Sequence, residues 1–171
     1  MYIFILIWIF FIIIHLYFIY GFKSFSITNA LFGEESKYTL ENIKLNTIKT
    51  NSKALLYFIY NNIEINNIDA ENIKCLGDGS DTSFILFDSG EIKKRLSINN
   101  LYAHNISSNG PLIKIIGNNN EFNMENSEIN NIFSFGSVID NLSEKVNYII
   151  FKPFFFNLKY VYNILILYFY Y

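Results

Sequence analysis

Ile63-Glu-Ile-Asn-Asn-Ile-Asp-Ala-Glu-Asn-Ile73 is the stretch that decides the fold, because the chain repeats it. It returns as Leu96-Ser-Ile-Asn-Asn-Leu-Tyr-Ala-His-Asn-Ile106 and, less faithfully, as Phe122-Asn-Met-Glu-Asn-Ser-Glu-Ile-Asn-Asn-Ile132. Four apolar columns align: Ile63/Leu96/Phe122, Ile65/Ile98/Met124, Ala70/Ala103/Ile129 and Ile73/Ile106/Ile132. Two asparagine columns align as well: Asn67/Asn100/Asn126 and Asn72/Asn105/Asn131. A motif that recurs in this way predicts a solenoid, in which each repeat stacks on its neighbour.

A second set of short apolar segments alternates with the motif. Its members are Ala54–Ile59, Ser83–Phe87, Pro111–Ile116 and Ser137–Ile139, and turn-forming residues such as Gly77-Asp-Gly-Ser-Asp81 separate the two sets. An earlier, divergent coil is predicted at Ile43–Thr50, about 20 residues before Ile63. Each coil therefore consists of strand, turn, strand and turn, and the short coils leave no room for a crossover helix.

This pattern is typical of a parallel β-helix, in which equivalent residues of successive coils lie about 4.8 Å apart. Apolar columns would fill the interior. A stacked asparagine can donate its side-chain amide to the asparagine of the next coil, and it tolerates the left-handed backbone that a tight corner needs. We therefore expect the six aligned asparagines to form structural ladders at the corners.

Residues 38–146 resemble the pectin-lyase-like right-handed parallel β-helices. They are most similar to the Asn- and Ile-rich repeat proteins of AT-rich eukaryotic genomes, such as those of anaerobic gut fungi. The resemblance implies an all-β fold with right-handed coils, in keeping with the general rule for parallel connections. We predict a short β-helix of about four coils, preceded by an N-terminal hydrophobic helix.

The two ends of the chain are apolar, whereas the repeat region is polar. Residues 2–22 contain no Asp, Glu, Lys or Arg and are long enough to cross a bilayer. Residues 1–30 are thus interpreted as a secretory signal peptide or a signal anchor, with a buried soluble helix as a third reading. Residues 147–171 form a hydrophobic tail, which is a cap on the last coil, a membrane segment or translated read-through.

Composition excludes several classes of function. The net charge of −2, with both signs interspersed, argues against a nucleic-acid surface. Cys75 is the only cysteine, so neither an intramolecular disulfide nor a cysteine-based metal cluster is expected. The polygalacturonase-like hydrolases that share the β-helix fold carry Asn-Thr-Asp, Asp-Asp, Gly-His-Gly and Arg-Ile-Lys signatures, and none of these occurs here. We expect no catalytic residue and no cofactor.

Few residues suggest a site. Asp78 and Asp81 are weak candidates for Ca²⁺, but a solvated turn explains them equally well. Asn105 and Asn141 begin glycosylation sequons, and Asn141 is preferred if the asparagine ladder points inward. His104 aligns with polar residues and is expected to face solvent.

The sequence favours a non-catalytic module, secreted or anchored at the cell surface through its N-terminal segment, that contacts a polysaccharide or another protein. One alternative is a polysaccharide-active β-helix enzyme or a fragment of one. The other is an integral membrane protein with hydrophobic helices at both ends.

Overall fold

The computed structural model describes residues 24–28, 36–143, 145–150 and 154–157. The predicted N-terminal helix and most of the hydrophobic tail lie outside these residues. In the described part of the chain, the one helical element is the short 3₁₀ turn Gly79–Asp81, and no helix there is long and apolar enough to cross a membrane.

Thirteen strands make up the described residues. In chain order they are β1 (Phe25–Thr28), β2 (Lys37–Asn46), β3 (Lys49–Thr50), β4 (Ala54–Ile59), β5 (Asn62–Cys75), β6 (Ser83–Asp88), β7 (Lys94–Ser108), β8 (Ile113–Ile116), β9 (Asn119–Glu125), β10 (Ser127–Ser134), β11 (Ile139–Asn141), β12 (Lys145–Ile150) and β13 (Phe154–Asn157). The chain alternates between long and short strands, so each coil visits two sheets.

Two parallel sheets run the length of the molecule. Sheet A has the order β1-β4-β6-β8-β11. Sheet B contains the longer strands, with β5 between β2/β3 and β7, and with β9 and β10 both next to β7. Every pairing within the two sheets is parallel and joins one coil to the next. The prediction of an all-β parallel solenoid of about four turns is therefore confirmed.

The register of sheet B pairs the same residues that the sequence repeat aligns. The stacked apolar columns are Ile63/Leu96/Phe122, Ile65/Ile98/Met124, Ala70/Ala103/Ile129 and Ile73/Ile106/Ile132. All of these side chains are buried, and they pack against sheet A columns such as Leu56/Ile85/Ile113. The core is thus a set of apolar ladders that run parallel to the solenoid axis.

The first coil has a different register from the one that the sequence suggested. Tyr38 pairs with Ile63 and Leu40 with Ile65, so the offset is 25 residues rather than about 20. Strand β2 therefore begins before Ile43, and Ile43 stacks on Ile68.

The long strands of sheet B bend twice, and a single residue makes each bend. Asn67 and Asn72 in β5 have φ of 60° and 56°, and Asn100 and Asn105 in β7 have φ of 59° and 58°. The equivalent positions in the first and fourth coils also have positive φ: Asn42, Thr47, Asn126 and Asn131. A left-handed conformation is costly for most L-residues but is tolerated by asparagine, whose side chain can bond locally. These residues form two asparagine corners in every coil.

A third corner, between the end of each sheet B strand and the next sheet A strand, is built differently. Its column consists of Thr50, Cys75, Ser108 and Ser134, and all four side chains are buried. The Ser108 hydroxyl accepts from the Gly110 N–H (3.3 Å) and lies 3.2 Å from the Thr82 carbonyl oxygen, to which it donates. We call this the serine corner, because its hydroxyls bond the backbone of the turn.

Strands at both ends continue the two sheets. β1 lies within the predicted signal segment and pairs with β4, with Phe25 opposite Leu56. β12 and β13 overlap the start of the predicted tail and pair with β9 and β10. Among the described residues, solenoid pairing thus extends from Phe25 to Asn157.

Candidate functional site

The asparagine corners carry two outward-facing hydrogen-bonded ladders. In the first ladder, Asn67 Nδ2 donates to Asn42 Oδ1 (3.0 Å) and Asn100 Nδ2 donates to Asn67 Oδ1 (2.7 Å). Its last member, Asn126, donates to Asn99 instead (3.1 Å). All of the corner asparagines are solvent-exposed. The ladder therefore points outward, not inward.

The second ladder is continuous over three coils. Asn105 Nδ2 donates to Asn72 Oδ1, and Asn131 Nδ2 donates to Asn105 Oδ1 (2.8 Å). In the first coil Thr47 takes the asparagine's place and donates to Asn46 Oδ1 (2.6 Å). Because each amide is engaged by its neighbours, the ladders hold the coils in register and leave little free hydrogen-bonding capacity for a ligand.

Between the two ladders lies a flat strip of outward-facing side chains, which we call the strip. Each coil contributes two residues to it: Lys44 and Asn46, Asp69 and Glu71, Tyr102 and His104, Glu128 and Asn130. Their backbone neighbours point into the core, since side chains alternate along a strand. Tyr102 is 40% exposed, and its ring lies 6.0 Å from the His104 ring, centroid to centroid, at an angle of 38°. His104 is partly exposed, as the sequence predicts.

Acidic and amide groups surround the aromatic pair. Glu71 Oε1 lies 3.7 Å from His104 Nδ1, and Asp69 lies 4.0 Å from the Lys44 ammonium group. On the other side, Asn130 donates to the Glu128 carboxylate. An aromatic face bordered by carboxylate and amide oxygens offers stacking and hydrogen bonding to the same ligand, which is the combination that a sugar ring with several hydroxyl groups requires.

A polar groove of about 430 Å³ opens at the start of the sheet B strands. Its lining combines four cations with two carboxylates and includes Lys37, Glu64, Lys93, Lys94, Arg95 and Glu121. The cations outnumber the carboxylates by two, although the whole chain has a net charge of −2. Positive charge is thus concentrated in this groove.

Both carboxylates of the groove are held in the ionised form. Burial alone would raise the pKa of Glu121, but hydrogen bonds from Lys93 (3.0 Å) and Arg95 (2.6 Å) outweigh it and leave the pKa below its usual value. The hydrogen bond from Lys37 lowers the pKa of Glu64 in the same way. A carboxyl group with a lowered pKa is a poor proton donor at neutral pH, so neither residue is set up as a general acid.

The weak Ca²⁺ candidates do not form a joint site. The Asp81 carboxylate is paired with the Lys114 ammonium group, whose hydrogen bond lowers the pKa of Asp81. Asp78 is exposed in the turn before the 3₁₀ element. Within the described ranges, no group of three or more His, Cys, Asp or Glu side chains is arranged to hold a metal ion.

The two sequon asparagines differ in exposure. Asn105 is exposed, although its amide takes part in the second ladder. Asn141 is buried, and its Oδ1 accepts from the Ser143 N–H (3.1 Å) and hydroxyl (2.6 Å). The preference for Asn141 depends on an inward ladder, and the outward ladder reverses it: Asn105 is the accessible residue of the two.

Sequence reasoning missed the strip, the groove and the first ladder residue, Asn42. The pattern Tyr38-Thr-Leu40-Glu-Asn42-Ile43 reproduces Ile63-Glu-Ile65-Asn-Asn67-Ile68 at a spacing of 25 and would have revealed Asn42. No local signal marks the groove, because its residues come from three coils.

Comparisons of the chain with protein-family models, with curated proteins and with solved structures found no match.

Proposed function

We propose that the chain is a non-catalytic binding module that contacts a polysaccharide through the strip between its two asparagine ladders. The observation that carries this proposal is the exposed Tyr102–His104 pair, bordered by Asp69, Glu71 and Glu128. Aromatic rings contribute about 0.5–1.5 kcal/mol per stacked pair beyond the area that they bury. The carboxylates around them are acceptors for sugar hydroxyl groups.

The groove supports a non-catalytic role. Retaining and inverting glycosidases both need a carboxylic acid with a raised pKa to protonate the leaving oxygen. Glu64 and Glu121 have lowered pKa values because cations bond them. The carboxyl groups of the groove are therefore suited to structural ion pairs rather than to proton transfer.

The proposal includes a location and a finer fold. A secreted or surface-anchored module would meet a polysaccharide outside the cell, and the apolar segment 1–30 is the sequence feature that supports this. The right-handed, pectin-lyase-like form is supported by the asparagine and isoleucine columns. Alkaline carbonate extraction tests the location, because an anchored chain stays with the membranes and a cleaved chain leaves them.

Affinity electrophoresis in gels that contain neutral or acidic polysaccharides tests binding to the strip. We expect the chain to be retarded by at least one polymer and the Tyr102→Ala variant to lose about tenfold in affinity, which corresponds to about 1.4 kcal/mol. Phe135→Ala is the matched control, since Phe135 is an exposed aromatic residue away from the strip. Equal losses in both variants, or no retardation by any polymer, would refute the proposal. Release of shortened oligosaccharides would instead support the enzyme alternative.

A further inference from the structure

Three large apolar side chains protrude from one edge of the solenoid. Tyr60, Ile92 and Leu142 are 47%, 50% and 53% exposed. Each lies in the turn that follows a sheet A strand: Tyr60 after β4, Ile92 after β6 and Leu142 after β11. We call this set the apolar edge.

Hydrogen bonds between neighbouring turns stack these turns along the axis. The Tyr60 N–H donates to the Asp88 carbonyl oxygen (2.8 Å), and the Asn118 N–H donates to that of Gly90 (2.7 Å). In the last of these turns, the Leu142 N–H donates to the Ile115 carbonyl oxygen (2.9 Å). The three apolar side chains therefore follow one line parallel to the axis, since successive coils are about 4.8 Å apart.

The basic groove begins where this edge ends. Ile92 is followed directly by Lys93, Lys94 and Arg95, and Tyr60 is followed after one residue by Asn62, which also lines the groove. The apolar edge thus lies beside a region in which cations exceed carboxylates by two.

We propose that this edge docks on the surface of an anionic lipid bilayer. Apolar side chains at turn tips can enter the boundary between headgroups and acyl chains, while adjacent Lys and Arg side chains contact lipid phosphate and carboxylate groups. Monomeric soluble proteins seldom align exposed apolar residues next to a cationic rim without an interaction partner. Charge complementarity favours an anionic membrane over a neutral one.

The inference goes beyond the proposed function, because the strip and the apolar edge lie on different parts of each coil. The strip lies between the asparagine corners within the sheet B strands, whereas the apolar edge precedes those strands. A module oriented in this way would contact lipid with one edge and leave the strip accessible.

A local fluorescence probe tests the contact in the full chain. The buried Cys75 is replaced by serine, and a polarity-sensitive dye is attached to cysteine introduced by Ile92→Cys. The dye on Ile92→Cys should shift to the blue on vesicles of phosphatidylcholine and phosphatidylserine, but not on phosphatidylcholine alone. About 1 M NaCl should abolish the shift, because the Debye length then falls to about 3 Å. The same dye on Phe135→Cys, in a different corner, is the control and should not respond.

Two charge variants change the response in opposite directions. Lys93→Gln with Arg95→Gln should raise the vesicle concentration needed for half of the shift by at least about fivefold, since each basic residue near an anionic surface contributes roughly 1 kcal/mol. Glu121→Gln removes a groove carboxylate and should lower that concentration. Equal responses at Ile92 and Phe135, a shift on neutral vesicles of the same size, or charge variants without effect would overturn the proposal. A local probe is used because attachment through residues 1–30 would bring the chain to any vesicle without moving the Ile92 dye into it.

Discussion

The asparagine corners and the serine corner solve the same geometric problem, a reversal of the chain within one coil, in opposite ways. At an asparagine corner a single residue turns the backbone at positive φ, and its side chain points outward to the next coil. At the serine corner a longer segment turns, glycine permits close contacts, and hydroxyl groups point inward to the turn's own backbone. The first type fixes the spacing between coils, and the second type tolerates changes in length.

The largest effect is expected from Gly77→Ala, at the serine corner. A Cβ atom at this position would lie 2.6 Å from the Ser52 carbonyl oxygen and 3.1 Å from that of Asn51. Backbone atoms of the neighbouring coil cannot move aside easily, so the free energy of unfolding should fall by about 3 kcal/mol. Denaturation in urea, followed by circular dichroism, measures it.

Gly79→Ala is the control for that experiment. A Cβ atom at Gly79 would have no neighbour within 4 Å, but φ is +63° there. Only the cost of a left-handed alanine, about 1 kcal/mol, is expected. If both variants lost the same stability, close packing at Gly77 would not limit the serine corner.

A smaller loss is expected at an asparagine corner, and two substitutions at Asn105 divide it into parts. Asn105→Gly removes the two ladder hydrogen bonds and keeps the positive φ, so about 1 kcal/mol should be lost. Asn105→Ala adds the left-handed strain and should cost about 2 kcal/mol in all. The same urea titration measures both, and equal values would show that asparagine is needed at the corner for its side chain alone.

Ser108→Ala tests the inward hydroxyl. The buried Gly110 N–H would lose its acceptor, and the free energy of unfolding should decrease by about 1.5 kcal/mol. Its neighbour Ser107 faces the other way and is partly exposed, so Ser107→Ala should change stability by less than about 0.5 kcal/mol. The difference in midpoint between the two variants is the measurement, and it should vanish if the hydroxyl has no structural role.

The smallest effect is expected from Cys75→Ser, since Thr50 and Ser108 hold the same position in neighbouring coils. The change should cost less than about 1 kcal/mol. Burial raises the pKa of the Cys75 thiol to about 12, so the wild-type thiol stays protonated at pH 8. A thiol reagent should therefore label the wild type only as fast as the chain unfolds, and rapid labelling in native buffer would contradict the buried position.

The repeat allowed the sheet B columns to be predicted, because apolar and asparagine positions coincide in three copies of one motif. The first coil was misaligned because Tyr38 and Leu40 stand where the other coils have isoleucine, leucine, phenylalanine or methionine, and Thr47 replaces an asparagine. The outward direction of the ladders was not readable either. A repeated asparagine fits an inner or an outer ladder, and only the positive φ at the corner decides between them.

The groove and the ion pairs depend on contacts between coils that local patterns do not encode. Lys114 pairs with Asp81, 33 residues earlier, because the turn of one coil lies beside the strand of the next. Glu121 likewise meets Arg95 only after the register of β7 and β9 is known. Such sites become predictable once the coil offsets of 25, 33 and 26 residues are fixed.

The unequal lengths of the coils have a practical consequence for protein engineering. The longest coil takes 33 residues between successive ladder asparagines, against 25 and 26 in its neighbours. Its extra residues lie in 76–82 and 89–93, on either side of β6, and none lies between the asparagine corners. Peptides grafted into these two turns should therefore leave the ladders intact. A whole coil, copied and spliced in between two asparagine pairs, would bring the same amide donors and acceptors that its neighbours already use, so the molecule could be lengthened as a cassette.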